Sequence, residues 1–355
     1  MIEVMRDLLA IARDSKASDL HITVNSVPKM RLNGELVGIE KYPVMTEEDT
    51  KNILYSVLSD FQISYLENMG ELDFAYQDED GCRFRANVYK QKGCIAGVFR
   101  VLPMKILTLD EINMPSVIRN FVTLKKGLVL VTGPTGSGKS TTLAAIINQI
   151  NRTRREHIIT IEDPIEYVHS HQKCIVNQRE VGTDTLSFEN ALRGSLREDP
   201  DIILVGEMRD NETISVALTA AETGHLVFST LHTIGAASTI NRVIDSFPPH
   251  ARQQVRTQLA MVLEGVVTQR LVANKEGTGR LAALEIMVCN DAIRNLIRED
   301  KTHQISSIMQ TSSSSGMQSL DYHLARLAKD EKISMQTAMV NCIDQESFKR
   351  YIAML

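Results

Sequence analysis

The chain has 355 residues, 43% hydrophobic and 23% charged, which is enough for two domains each with its own core. Its 39 Lys and Arg against 44 Asp and Glu leave a net charge of −5, which weighs against a surface built to track nucleic acid. No apolar run reaches bilayer length. The five cysteines (Cys82, Cys94, Cys174, Cys289, Cys342) are odd in number and never spaced C-x-x-C, which argues against a zinc site or a disulfide framework and for a reducing compartment, the cytoplasm.

Taken in chain order, MIEVMRDLLAIARDSKAS places Ile2, Met5, Leu8, Leu9 and Ala12 on one helical face. It reads as an amphipathic helix of a folded domain, not as a secretory leader. Residues 17–101 read as α+β: Leu20, Ile22 and Val24 alternate with polar neighbours, and MRLNGELV carries a hairpin signal at Asn33-Gly34. In CRFRANVY, Cys82, Phe84, Ala86 and Val88 share one strand face, so Arg83 and Arg85 point the other way, and CIAGVFRV is a further strand. Those arginines are either a solvated sheet face or cations offered to an anion outside the domain.

Residues 102–117, with prolines near both ends, read as a linker. From about residue 118 strands and helices alternate: GLVLVTG, KSTTLAAIINQI, HIITIED, a helix near 187–198, DIILVGE, a helix within 210–223 ended by Gly224, and HLVFSTLH. Continuous apolar strands between helices predict an α/β fold with a parallel sheet covered on both faces. Beyond Pro248-Pro249 the pattern turns mostly helical, with Val255, Leu259, Val262 and Val266 as one buried stripe, and SSSSG at 312–316 reads as a surface loop. The expected organisation is an N-terminal domain over 1–101, a linker over 102–117, and a second domain over 118–355 whose last part, from about 271, is helical. There is no internal repeat.

GPTGSGKST, comprising Gly133, Pro134, Thr135, Gly136, Ser137, Gly138, Lys139, Ser140 and Thr141, follows the strand GLVLVT and opens a helix. It matches G-x-x-x-x-G-K-[ST] in the strand–loop–helix context the motif requires. Glycines let the backbone N–H groups curl around a phosphate at a helix N-terminus. Lys139 is expected to reach the β- and γ-phosphates and Ser140 to coordinate magnesium, so ATP and Mg2+ are the expected ligands.

Three further stretches bear on what happens to the nucleotide. TIEDPIEY gathers Glu162, Asp163 and Glu166 at a strand end, where open α/β sheets bind ligands; an ordinary acidic surface loop is the plainer alternative. DPDIILVGE ends in Gly206 and Glu207 where a nucleotide hydrolase usually carries Asp. Glu207 could hold a water for in-line attack or bind magnesium through a water, or simply begin an exposed loop. GHLVFSTLHT brackets a strand with His225 and His232. His232, at the sheet edge shared with the phosphate loop, is the better candidate for sensing a γ-phosphate.

Together the phosphate loop, the acidic IEDPIE, the atypical DPDIILVGE and the histidine-bearing GHLVFSTLH resemble the secretion-superfamily ATPases. The resemblance runs over nearly the whole chain and includes ASDLHI, Ala17 to Ile22. It implies a PAS-like N-terminal domain, a RecA-like P-loop ATPase domain and a homohexamer that binds ATP between domains. Carried over by motif position, Glu166 is the catalytic glutamate of the "Asp box" and Glu207 that of Walker B. Arg85 and Arg100, with Arg83 behind them, match the arginines such proteins bring to the nucleotide. AIRNLIRE, Ala292 to Glu299, is similar to a motif of the pilus-retraction branch. There Ala292, Ile293, Leu296 and Ile297 are expected on one buried face, with Arg294, Arg298 and Glu299 accessible. Neither the long N-terminus nor the four-cysteine zinc motif of extension ATPases is present, and the serine-rich 312–315 departs from the pattern only locally.

What this implies is a motor for type IV pilus retraction and twitching motility, at the cytoplasmic face of the inner or plasma membrane. It would be bound there through a PilC-like platform protein, with no nucleic acid and no zinc. A pilus-extension or secretion-assembly ATPase, a nucleotide switch with little hydrolysis, and a nucleic-acid motor are the alternatives; the missing Walker B Asp favours the switch, and 5% aromatic residues weigh against the last.

Overall fold

The computed structural model describes residues 1–355 and contains two β-sheets, one in each of two units. The first unit is Met1–Lys105 with Pro164–Val168, and the second is Ile106–Asp163 with His169–Leu355.

The first unit runs α1 (Ile2–Asp14), β1 (Asp19–Ile22), β2 (Lys29–Leu32), β3 (Glu35–Gly38), α2 (Glu47–Tyr55), α3 (Asp60–Met69), β4 (Glu71–Gln77), β5 (Arg83–Gln91) and β6 (Cys94–Val101). The β2–β3 turn is the expected one: Asn33 and Gly34 have φ of 50° and 94°, and Leu32 pairs with Glu35. The helices α2 and α3 start at capping boxes, Thr46 with Asp49 and Ser59 with Gln62. Strand order is β3-β2-β1-β6-β5-β4, all antiparallel. One sheet face carries Leu20, Ile22, Phe84, Ala86, Val88 and Phe99, which pack with Met5, Leu8, Leu9 and Ala12 of α1 into a single core. Ile2, expected on that helical face, is 41% exposed; it lies in the first turn, beyond the edge of the core.

In the second unit, α4 (Val117–Thr123), β7 (Gly127–Thr132), α5 (Lys139–Thr153), β8 (His157–Glu162), β9 (Ile175–Glu180), α6 (Phe188–Ser195), β10 (Ile202–Val205), α7 (Asn211–Glu222) and β11 (Leu226–Leu231) come first. Then follow α8 (Ala236–Asp245), α9 (Arg252–Val262), β12 (Leu263–Ala273), β13 (Arg280–Val288), α10 (Asp291–Arg298), α11 (Ile305–Thr311), α12 (Leu320–Lys329), α13 (Met335–Asn341) and α14 (Gln345–Met354). The sheet order is β13-β12-β7-β11-β10-β8-β9, parallel throughout except for the antiparallel β12–β13 pair. Alternate residues of each strand feed two cores, as a doubly covered sheet requires. Val129, Val131, Ile158 and Leu204 pack with Ile146 and Ile150 of α5. Leu128, Leu130, Ile159 and Val205 pack with Leu218 of α7 and Leu259 of α9. A smaller core joins Val272 and Ala283 to Leu324 and Phe348 of the last helices.

The region after Pro249 differs from expectation. Val255, Leu259 and Val262 lie on α9, but Val266 lies on β12, and β12 with β13 adds two strands before the terminal helices begin. The apolar spacing fitted a helix because its period crosses the helix–strand junction unbroken; the β-branched, alternating GVVTQRLV is what the tertiary sheet recruits. SSSSG is an exposed single 3-10 turn, Ser313–Ser315, closed by Gly316 at φ 84°.

Candidate functional site

The loop after β7 is shaped by its neighbour β12. Gly133, at φ 139°, passes so close to β12 that a Cβ there would lie 2.2 Å from the Gln269 carbonyl oxygen. Gln269 is 1% exposed, and its Nε2 donates to the Ser137 carbonyl at 2.6 Å. Gly136 and Gly138 also have positive φ, 76° and 87°, which lets the loop curl before it hands over to α5 at Lys139. Thr135 and Gly136 are exposed, Pro134, Ser140 and Thr141 half-buried. Lys139 Nζ donates to the carbonyls of Gly133 at 2.9 Å and Pro134 at 3.1 Å. Buried inside the curl, Ser137 Oγ has no hydrogen-bond partner. Sequence reasoning missed Gln269 because one buried glutamine in an apolar strand carries no local signature.

Order across the sheet brings the other candidates alongside. β11 and β10 are the next strands after β7, and His232 and Glu207 follow their C-terminal ends. His232 Nδ1 stands 3.5 Å from Lys139 Nζ, and its Nε2 stands 3.1 Å from Glu207 Oε1. Lys139 can only donate, so Nδ1 is the acceptor in that contact, and Nε2 lies beside the carboxylate. The second oxygen of Glu207, Oε2, accepts from Arg209 Nε at 2.8 Å. That ion pair holds the Arg209 guanidinium above its ordinary pKa, the Glu207 hydrogen bond contributing most.

Gly206 stands in the place of the usual Asp in a tight setting. A Cβ there would approach the Ile161 carbonyl to 3.1 Å, and Gly206 N donates to that carbonyl at 2.8 Å. Asp163 follows β8 and is exposed, whereas Glu162 accepts from the Thr160 hydroxyl at 2.7 Å and from Gln178 at 3.1 Å.

His225 is not part of this constellation. It precedes β11, whose six residues run from Leu226 opposite Gly127 to Leu231 opposite Thr132, so it lies at the opposite end of the strand from His232. There its Nδ1 meets the Ala220 carbonyl at 3.0 Å and Thr223 Oγ1 at 3.2 Å, where α7 ends. A strand separates its two ends by about 3.3 Å per residue, which is the reason the sequence already favours His232 over His225.

The remaining candidates belong to the first unit. Asp19 pairs with Arg31 and with Arg100, and Arg100 with Arg85, so the four form one row across β2, β1, β6 and β5, on the face opposite the core. Arg100 Nε donates to Asp19 Oδ1 at 2.9 Å. Burial alone would raise the Asp19 carboxyl, but the Ser18 hydroxyl and Arg100 outweigh it and hold it below its usual range. Arg85 and Arg100 are exposed and Arg83 half-buried. Glu166 is half-buried within Pro164–Val168, the short segment that belongs with this unit.

AIRNLIRE is α10 with its flanks, and its polar face differs from expectation. Ile293 and Ile297 are buried, Ala292 is exposed, and Arg294 is largely enclosed. Arg294 Nη1 donates to the carbonyls of Ala260 at 2.8 Å and Met261 at 3.0 Å, and Nη2 pairs with Glu264 at 2.9 Å. It therefore caps the C-terminus of α9, where a cation belongs. Arg298 and Glu299 are exposed.

The donor set suits magnesium. The Ser140 hydroxyl and the Glu207 carboxylate are hard oxygen ligands of the kind magnesium takes.

The family model described as "Type II/IV secretion system protein" matches residues 100–332. The chain is 49% identical over 342 residues to the type IV pilus retractation ATPase PilT of Pseudomonas aeruginosa, spanning 96% of this chain and 99% of that one. It is 48% identical over 320 residues to a twitching motility protein of Neisseria gonorrhoeae, covering 90% and 85% of the two chains. A crystal structure of the pilus retraction motor PilT with bound ADP superposes with a TM-score of 0.91 at 47% identity, covering 97% of this chain and 98% of that one. With a phosphate loop whose lysine neighbours a strand-end histidine and glutamate, and with these likenesses along its length, the chain belongs to the type II/IV secretion system protein family.

Proposed function

We propose that this protein is an ATPase motor that powers type IV pilus retraction. The observation that carries the reading is the contact series Lys139–His232–Glu207 at the ends of three neighbouring parallel strands. Its likeness to a pilus retractation ATPase over nearly its full length supports the direction of the work.

In this reading the loop amides and Lys139 hold the β- and γ-phosphates. Glu207 orients a water in line with the γ-phosphorus and takes its proton, while the bond from that phosphorus to the β–γ bridging oxygen breaks. His232 fixes the Glu207 carboxylate through Nε2. Magnesium, held by Ser140 and through water by Glu207, would neutralise charge on the phosphate oxygens. Glu166 is the second carboxylate assigned to the water, and Arg85 and Arg100, with Arg83, are assigned to the developing phosphate charge. Loss of the γ-phosphate would then free one domain from the other, and that movement would drive pilin subunits out of the pilus.

The finer architecture belongs to the same reading. Residues 1–101 are a PAS-like domain, 102–117 a linker and 118–355 a RecA-like domain. The working form is a homohexamer at the cytoplasmic face of the inner or plasma membrane, engaged with a PilC-like platform protein. No helix is long and apolar enough to cross a membrane; attachment is assigned to the platform partner.

Lys139→Ala is expected to abolish phosphate release by the purified protein and to leave cells with surplus, immobile pili. Turnover at the normal rate in that variant would refute the ATPase mechanism, and bare cells would reverse the direction of work.

A further inference from the structure

We infer that Arg209 is a positioning residue that fixes the carboxylate of Glu207 for attack on the γ-phosphate. The inference rests on the reading of Glu207 as the group that orients the water.

The local backbone leaves little freedom. Met208, between the two, is 1% exposed, and its N–H donates to the Thr230 carbonyl at 3.2 Å. The preceding Gly206 is tied on both sides, its N–H to Ile161 at 2.8 Å and its carbonyl accepting from Thr230 Oγ1 at 2.6 Å. Met208 is anchored inward, and outside it the side chains of Glu207 and Arg209 meet.

Each oxygen of Glu207 then has its own neighbour: Oε2 accepts from Arg209 Nε at 2.8 Å, and Oε1 lies 3.1 Å from His232 Nε2. A contact on each oxygen restricts rotation of a carboxylate, and the hydrogen bond is the one from Arg209. Arg209 also lines a cleft of about 380 Å³ with Asp163, Glu189, Asp210 and Glu212, so a single cation stands among five carboxylates counting Glu207.

Stability does not explain the pair. The Arg209 side chain is 63% exposed and that of Glu207 19%, and an ion pair with one partner in solvent adds little to folding. What an exposed arginine can supply is orientation, because a misplacement of about 1 Å at a reacting group costs up to about 10²-fold in rate.

Four preparations test this: Arg209→Ala, Arg209→Lys, Arg209→Ala with low, non-denaturing guanidinium, and Glu207→Gln. Each is assayed for ATP turnover, for affinity toward a fluorescent ADP analogue, and for thermal midpoint. Arg209→Ala should lose about 10- to 100-fold in kcat with nucleotide affinity and thermal midpoint retained. Arg209→Lys should recover only part of that, since an ammonium lacks the directed Nε–H. Added guanidinium should raise turnover of Arg209→Ala and not of the unaltered protein, which a merely structural role would not produce. Wild-type kcat in Arg209→Ala, or parallel loss of nucleotide affinity, would overturn the assignment. Undiminished turnover in Glu207→Gln would instead remove the reading beneath it, and the two failures are told apart by which variant keeps its rate.

Discussion

Gly133 is held by a contact that no neighbour in the chain supplies. A methyl group there would stand 2.2 Å from the Gln269 carbonyl, and φ of 139° is strained for any other residue. Gly133→Ala is therefore expected to push the loop off β12 and weaken nucleotide binding at least ~10-fold, a loss of ~1.4 kcal/mol, measured by equilibrium titration with a fluorescent ADP analogue. Unchanged affinity would mean that the loop tolerates displacement from β12. The motif itself was legible because its spacing encodes a local turn. Gln269 was not, because its role depends on a strand more than a hundred residues away.

Among the elements, α10 and α12 each carry a polar side chain that ties them to a neighbouring element. Arg294 satisfies two carbonyls at the end of α9 as well as Glu264. Removing it leaves those acceptors without their cation, so Arg294→Ala should lower stability by about 1–3 kcal/mol, read from urea denaturation. On α12, His323 is 4% exposed and its Nδ1 accepts from the Leu284 N–H at 2.9 Å, an acceptor role that requires an unprotonated nitrogen. Burial, with a smaller contribution from Arg326, lowers its pKa to about 4, from an ordinary 6.5. A depressed histidine binds its proton more readily in the unfolded chain. The stability it supports is therefore complete above about pH 6.5 and declines as pH falls toward 4, by up to about 3 kcal/mol. Denaturation at pH 7 and pH 4.5 should show that decline, and His323→Gln, which keeps an acceptor without titrating, should flatten it. An equal slope in the variant would place the acid sensitivity elsewhere, with His169, also lowered by burial to about 4, the next group to test.

At the scale of the whole molecule, the cross-strand row Arg31–Asp19–Arg100–Arg85 is a feature of the first unit's sheet. Its proposed work concerns a phosphate held by the second. If Arg85 and Arg100 stabilise the transition state, Arg85→Ala with Arg100→Ala should cut kcat by about 10³-fold while ADP affinity changes much less. Loss of ADP affinity in step with kcat would make them ground-state binders instead. Arg85 is exposed, but Arg100 pairs with the enclosed Asp19, so a thermal midpoint taken alongside kcat separates loss of fold from loss of rate.

By itself the sequence determined the elements whose signals are local: the Asn33-Gly34 hairpin, the arginine-bearing strands, the alternating strands and helices of the parallel sheet, and the phosphate loop. Each follows from periodicity or turn chemistry within a few residues. Only the tertiary structure decided which strand ends lie side by side. Strand order sets His232 between Lys139 and Glu207, the sheet turns Val266 from a helix stripe into β12, and helix packing folds Arg294 inward as a cap. The physical reason is common to all three: hydrogen-bonded register and burial join segments far apart in the chain, and local periodicity carries no information about their neighbours.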